Sequence, residues 1–503
     1  MKILSVLAIL LLLNACGGGS SSKPQTPPTD ATSNWQEGVY PSSKTFANRC
    51  ANPRTSNNYP DILGTVTDEN NWIRSWSHET YLWYDELPDI DPKTVSDAID
   101  YFEQMKTPFK TASGEDKDQF HYTRNTEEYN RVLESGISVG YGANFLIIQS
   151  SPKRIMVTYT EANSPAADAK ISRGAEVLAI DGVYLNNISS QQDVDTLNNG
   201  LRPTQPGERH SFVIRDLNAV NQRTVQLTSV AVTKIPVYQT KVITQTDKNI
   251  GYLVLNTFGI ATAEQQLIDA VNSLKQQNID ELILDLRYNG GGSLDISAEL
   301  ATMIAGDYAL GSVYGEIMYN DKRSMNNQIY RFPFTAIGYT ATKGMSLPKL
   351  NLSKVYILST GNTASASEYL INGLRGIDID VILVGENTTG KPYGFLPQDN
   401  CGITYFTIQF KGANAKGYGD YAGGFTPAVS DNGEDQVRGC SVSDDLSREL
   451  GDSNENMLAT ALHFIETGSC PSTASIGLSK STHPLLSVSG ELLSPLPMGT
   501  IMQ

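Results

Sequence analysis

Three hydroxyl residues in five positions, Thr363, Ser365 and Ser367, punctuate the stretch YILSTGNTASASEYLINGLRG (356–376), where an apolar run stops at Thr360 and Gly361 and helix formers resume at Glu368, Tyr369 and Leu370. A strand that feeds a helix through such residues is either a well-made helix cap or the seat of a nucleophile. A serine in a helix's first turn has free backbone N–H groups beside it and the positive end of the helix dipole, both of which favour a developing oxyanion. Such a serine needs a base. Histidine is the usual one, but of the five, His78, His121, His210, His463 and His483, none falls in the α/β part of the chain before residue 463. No G-x-S-x-G elbow surrounds the serines either. Lysine is the alternative, because burial can leave an amine neutral near physiological pH. Lys391 stands out: in VILVGENTTGKPYGF a strand ends in a Gly- and Thr-rich loop that presents it, 26 residues after Ser365. A second pairing, SSPK from Ser150 to Lys153, has the S-x-x-K spacing of penicillin-binding enzymes, but that motif needs a helix and Pro152 falls in a predicted hairpin turn.

The elements that must position these residues follow from periodicity. From Asn249 onward, apolar strands alternate with helical patterns: IGYLVLNTF, AEQQLIDAVNSLKQQ, ELILDLRYN, SLDISAELATMIAG, KVYILSTG, ASASEYLINGLRG and VILVGE. That alternation predicts α/β layering on a largely parallel sheet. Between Val139 and about Val232 the pattern changes to short strands, NFLII, RIMVTYT, EVLAIDGVYL and SFVIRDL, interrupted by SPAADAKISRG, which reads as a short helix entered through Pro165 and closed by Gly174. From about Cys50 to Leu133 the chain reads helical, with Trp72, Trp76, Leu82 and Trp83 on one predicted helical face, a packing stripe rather than a cofactor box.

The N-terminus reads as an export signal. Lys2 precedes an eleven-residue, mostly apolar run, Ile3 to Leu13, too short for a comfortable bilayer span. Cys16, after Leu13-Asn14-Ala15, resembles the lipobox cysteine of bacterial lipoproteins, and GGGSSSKPQTPPTDATS reads as a flexible tether with nothing apolar to bury. The net charge of −16 is spread along 503 residues without a basic block, which argues against nucleic acid as a partner. Four cysteines remain after Cys16: Cys50, Cys401, Cys440 and Cys470. In an exported chain they predict two disulfides in any of three pairings. Their spacing is not that of a zinc site.

The stretch SPAADAKISRGAEVLAIDGVYL resembles the PDZ domain of periplasmic processing proteases. In that resemblance VGYGANFLII holds the carboxylate-binding loop and the edge strand after it, with Gly140, Tyr141, Gly142, Ala143 and Phe145 as peptide-binding residues. Gly140 and Gly142 would let backbone N–H groups converge on an anion, and the strand could pair with an extended peptide. The chain as a whole, over about residues 130 to 430, resembles the S41 serine peptidases of the C-terminal processing, or tail-specific, type. TASASE (363–368), LVGE (383–386) and Gly390-Lys391 stand in the order and spacing of that family. The resemblance implies Ser365 as nucleophile, Lys391 as base and Glu368, one helical turn after the serine, as the residue that orients the lysine. DLRYNGGGSLD resembles the family's DLR and Gly-rich turn, making Gly291 and the N–H of Ala366 the oxyanion-hole candidates. The NGGGS turn lacks the Gly-Lys-Ser/Thr ending of a nucleotide-binding loop. Two positions depart from the family pattern: Pro392 where Gly is frequent, and Phe395 where Gln is common.

The expected fold is therefore α/β and multidomain, with a PDZ-like β-rich module and a layered α/β protease core of the ClpP/crotonase type. The expected organisation is a lipoprotein signal at 1–16, a linker at 17–45, an N-terminal helical segment at 46–133, the PDZ-like module at 134–235, the peptidase core at 236–470 and a tail at 471–503. The expected function is a Ser/Lys endopeptidase that selects polypeptides by accessible C-termini, needs no metal or other cofactor, and hangs by lipid from a bacterial membrane of the cell envelope, the outer membrane on its periplasmic side. A catalytically idle peptide-binding lipoprotein on the same scaffold is the alternative, and a crotonase-like acyl transferase a more distant one.

Overall fold

The computed structural model describes residues 35–472, apart from 112–113, 151–152, 246 and 431–432. The signal sequence, Cys16, His483, most of the linker and nearly all of the tail lie outside the described residues, as does the turn holding Pro152.

The strand Lys248–Leu255 shows how the core is specified. Leu253 and Leu255 belong to one hydrophobic cluster, while Ile250, Tyr252 and Val254 belong to another. Period-two alternation with apolar residues on both faces demands a sheet covered on both sides. Helices Ala263–Gln276, Leu294–Ala305 and Ala366–Gly376 cover one face, and helix Asn456–Thr467 covers the other through Met457, Leu458, Ala461 and Phe464. The sheet has seven strands, and those from Lys248 onward run parallel, in the order 248–255, 281–285, 354–359, 380–385, 436–441 and 426–428, with Val237–Gln245 antiparallel at one edge. This is the layering predicted from the alternation of strands and helices.

The chain from 137 to 233 forms a separate β-rich module. Its sheet orders the strands 223–228, 209–215, 176–180, 153–160 and 143–150, with Ala143–Ser150 at the edge. Ile137–Gly140 and Val230–Thr233 pair antiparallel where the module joins the rest of the chain. The short helix is Pro165–Asp168, capped by Ser164 Oγ. It ends well before Gly174, because Lys170, not the glycine, takes the left-handed φ of +56° that follows it. Gly174 serves instead in the turn before Glu176–Ile180.

The N-terminal part is less helical than its sequence pattern. Helix Val66–Thr80, closed by a Thr65/Asp68 capping box, stacks Trp72 on Trp76 with ring centroids 5.1 Å apart. The helix ends before Leu82 and Trp83, which join a second cluster with Tyr81, Phe395 and Phe406. The apolar spacing had continued past the helix because the chain stays buried after it turns. Much of 81–121 is irregular, and Tyr122–Asn125 becomes the third strand of a sheet with Gln398–Asn400 and Ile403–Phe406. A disulfide joins Cys50 to Cys401 in that hairpin, and a second joins Cys440 to Cys470. The N-terminal segment is thus clamped onto the hairpin that follows the Lys391 loop.

Candidate active site

Two of the three opening hydroxyls have structural work. Thr363 Oγ1 donates to the carbonyl of Leu286 at 2.9 Å, and Ser367 Oγ to that of Asn289 at 2.9 Å. Both hold the start of helix Ala366–Gly376 against the turn that follows strand Glu281–Asp285. That turn is anchored in its own right. Arg287, fully buried, donates to Asp285, Asp444 and Glu455, so the DLR sequence is an ion-pair lock on the strand's end.

Ser365 differs from its neighbours. It is the N-cap of the helix with φ +55° and ψ −116°, a conformation that a residue with a side chain adopts only where its surroundings impose it. Gly291 supplies part of that pressure: a Cβ on it would lie 2.9 Å from Ser365 Cβ, Ala364 O and Ala366 N. Only glycine lets the two turns approach so closely. Ser365, 7 % exposed, lines a pocket with Lys391, Gly292, Leu294, Tyr369, Pro392, Tyr393, Gly394, Phe410 and Gly412.

Lys391, 1 % exposed, has its ammonium between two rings, with Nζ 4.0 Å from the centroid of Phe395 and 4.9 Å from that of Phe120. Burial pulls its pKa down to about 7, against the opposing pull of the Asp118 and Glu368 carboxylates. A lysine in this state exchanges a proton at neutral pH.

Glu368 is fully buried and accepts four hydrogen bonds: from Ser365 N at 2.9 Å, Thr388 Oγ1 at 2.6 Å, Gly390 N at 2.7 Å and Lys391 N at 2.8 Å. Burial raises its pKa and those donors oppose the rise. It ties the main chain of the lysine loop to the serine's own amide. Of the oxyanion candidates, Ala366 is the first helical residue, whose N–H has no intrahelical acceptor. The Gly291 N–H donates to Asn289 Oδ1 at 2.9 Å, and it is Gly292 that lines the pocket.

The peptide-binding candidates lie apart, in the β-rich module. Gly142 has φ +82°, and a Cβ there would collide with Ser164. Gly140 instead ends a strand opposite Val230. Tyr141 is buried, with its hydroxyl on the Gly200 carbonyl at 3.0 Å, and its own carbonyl accepts from Ala166 N at 2.9 Å. Ala143 begins the edge strand, where Phe145 packs against the module's core and stacks over Phe212.

Phe120, whose ring faces the Lys391 ammonium, has no signal of its own in the sequence. It lies in DKDQFHYT, which has no helical or strand period, just before strand Tyr122–Asn125 pairs with Ile403–Phe406.

A family model described as Peptidase family S41 matches residues 249–397, a span that includes Ser365, Glu368 and Lys391, and one described as Peptidase S41 N-terminal domain matches 68–120. The chain is 29 % identical over 276 residues to a carboxyl-terminal-processing protease of Picosynechococcus, covering 54 % of this chain and 59 % of that one. A carboxyl-terminal-processing protease of Synechocystis is 24 % identical over 345 residues, 66 % of this chain and 74 % of that one. The chain therefore spans less than two thirds of the first relative's length. Among solved structures, a Bacteroides fragilis protein described as an S41 protease superposes with a TM-score of 0.59 at 24 % identity, over 82 % of this chain and 99 % of that one, which shows a common fold. The two family models and the curated relatives together support a place for this chain with the S41 family of C-terminal processing peptidases.

Proposed function

We propose that the protein is a serine endopeptidase in which Ser365 is the nucleophile and Lys391 the general base. The observation that carries the reading is that a serine in an imposed, non-helical conformation and a buried lysine held at about 7 line one pocket. Neutral Lys391 takes the Ser365 proton as Oγ adds to the scissile carbonyl. The oxyanion meets the N–H groups of Ala366 and Gly292, each donor worth about 3 kcal/mol in the transition state. The ammonium returns its proton to the leaving amine, and a water activated by the same lysine hydrolyses the ester. Leu294, Tyr369 and Phe410 give the pocket apolar walls, and Gly394 and Gly412 leave no room there for a Cβ of their own. A small apolar side chain beside the scissile bond suits that space.

Ser365→Ala and Lys391→Arg should each abolish cleavage of an unstructured polypeptide, since Arg does not shed its proton in this range. Turnover by purified Ser365→Ala would refute the assignment. A wild-type chain that binds peptides without cleaving them would establish the idle binding protein instead.

The β-rich module is read as PDZ-like, selecting substrates by a free C-terminus at the Gly140–Ala143 loop and along the edge strand Ala143–Ser150. Its support is the left-handed Gly142 and the edge position of that strand. A peptide amidated at its C-terminus should be cleaved on the order of tenfold more slowly than the free acid, the loss of one charge-assisted hydrogen bond. Lipidation at Cys16 and a place in the cell envelope complete the reading; Cys16→Ser should release the chain from the membrane fraction.

A further inference from the structure

We propose that Arg173, on the β-rich module, is the positioning residue for the turn that carries the oxyanion donor Gly292. The proposal rests on the serine–lysine reading and deepens it: the module acts on the bond-breaking step as well as on the choice of substrate.

Arg173 stands next to Gly174 at the end of SPAADAKISRG, and its guanidinium is buried. All five of its N–H groups have an acceptor. Nη1 donates to the carbonyl of Thr158 at 2.9 Å, within the module, and to the Tyr288 hydroxyl in the core. Nη2 donates to Asp444 Oδ1 at 2.7 Å and to the Asp445 carbonyl at 3.2 Å, and Nε to the Arg448 carbonyl at 2.8 Å. All but one of these acceptors therefore lie outside the module. Gly174 lets the two backbones close on each other, since a Cβ there would lie 2.3 Å from Leu446 O.

The acceptors belong to two core segments that need holding. Between Ser441 and Asn456 the chain has neither helix nor strand, so Asp444 takes its place from tertiary bonds rather than from a ladder. The oxygen of Asp444 that meets Arg173 also accepts from Arg287 Nη1 at 2.8 Å, and its other oxygen accepts from the Tyr288 hydroxyl. Burial raises the Asp444 carboxyl, and the guanidiniums of Arg173 and Arg287 more than offset it, holding the group well below the usual carboxylate range. Arg287 and Tyr288 open the turn that runs through Asn289 and Gly291 to Gly292, which lines the pocket with Ser365 and Lys391. Tyr288 is also where this turn meets the module, its ring centroid 6.1 Å from that of Tyr159 on strand Lys153–Thr160. On the core side, Asn289 Nδ2 donates to the Leu255 carbonyl at 3.1 Å and Ser367 Oγ to the carbonyl of Asn289. The turn thus has two sets of anchors, one from the core and one through Arg173. Without the second, the Tyr288 end is free to shift, and a donor must lie where the oxyanion forms. Lysine could not replace this arginine, because three donors on one atom do not reach acceptors spread around a plane.

Two readouts separate this role from folding and from the peptidase reading. In the active chain, Arg173→Met should lower kcat about a hundredfold at nearly constant KM on a peptide ester too short to reach the module, the cost of misplacing a donor by about 1 Å. Arg223→Met is the control, because the bonds of Arg223 to Asp216 and to the carbonyls of Ala169 and Lys170 stay inside the module, and it should leave kcat unchanged. In Ser365→Ala, hydrogen exchange at the amides of Asn289, Gly291 and Ser293, all hydrogen-bonded in the structure, should quicken about tenfold when Arg173→Met is added. Should Arg173→Met fail to fold, Tyr288→Phe removes only the hydroxyl between Arg173 and Asp444, and should quicken the same amides and lower kcat about tenfold. Unchanged exchange, or an equal loss of kcat in Arg223→Met, overturns the proposal. A wild type that cleaves nothing overturns the peptidase reading, and the exchange comparison then still decides the role of Arg173.

Discussion

The burial of Lys391 makes a quantitative prediction about pH. An ordinary lysine, with a pKa near 10.4, is neutral at pH 7 in only about four molecules in ten thousand. With its pKa pulled down to about 7, roughly half of the Lys391 side chains are neutral there, a gain of about three orders of magnitude in competent base. The profile of kcat/KM should therefore rise with pH through an acid limb near 7 and level off above it. The same depression has a stability cost with a definite sign. Between about 7 and 10.5 the unfolded chain holds a proton that the folded chain has released, so stability due to this group rises with pH over that window. At pH 7 the cost is roughly 4 kcal/mol relative to an unperturbed lysine. Lys391→Met, similar in length and without a charge, should abolish cleavage and raise the thermal midpoint at pH 7, with the gain shrinking toward pH 10. A stopped assay on an unstructured protein, run from pH 5 to 9 beside thermal melts of both proteins, measures both effects. An acid limb above pH 9, or a Met variant that melts lower than wild type at pH 7, would refute the buried neutral lysine.

Three further outcomes follow from particular contacts. Glu368→Gln replaces an acceptor of four hydrogen bonds by a group with one acceptor oxygen, so it should cost about 2–4 kcal/mol in urea unfolding and most of kcat. Ser367→Ala removes a single buried bond to the Asn289 carbonyl and should cost about 1 kcal/mol and a few-fold in kcat, against complete loss for Ser365→Ala. Glu299 accepts from Ile337 N beside Glu264, itself bound by the amides of Gly338, Thr340 and Ala341, and burial pushes Glu299 up to about 8. Its protonated form stabilises the fold fully below the ordinary carboxyl value, and that contribution is lost as pH rises to about 8. Glu299→Gln should therefore flatten the decline in thermal midpoint between pH 5 and 8, and an unchanged slope would count against a Glu299 raised by burial.

What the sequence revealed and what it hid divide along the range of the interactions involved. The parallel core was legible because strands such as Lys248–Leu255 carry apolar residues on both faces, a local pattern that only a doubly covered sheet satisfies. The lysine stood out for a related reason: a strand ending in Gly and Thr leaves few roles for a lysine at its tip. The structural bonds of Thr363 and Ser367 were not readable from the local pattern, because all three hydroxyls suit a helix cap. Their acceptors are the carbonyls of Leu286 and Asn289, more than 70 residues earlier. Helix length in the N-terminal part was overread for a similar reason. Leu82 and Trp83 keep the apolar spacing of Val66–Thr80 while packing on Phe395 and Phe406, partners over 300 residues away. Asp118 lay furthest from view. An aspartate between a lysine and a glutamine in an aperiodic stretch resembles a solvated loop residue, and its burial depends on strand Tyr122–Asn125 completing a sheet begun by the hairpin beyond the lysine. The part of a site that a local pattern cannot show is the part contributed by a second segment, and here that segment lays the ring of Phe120 4.9 Å from the Lys391 ammonium.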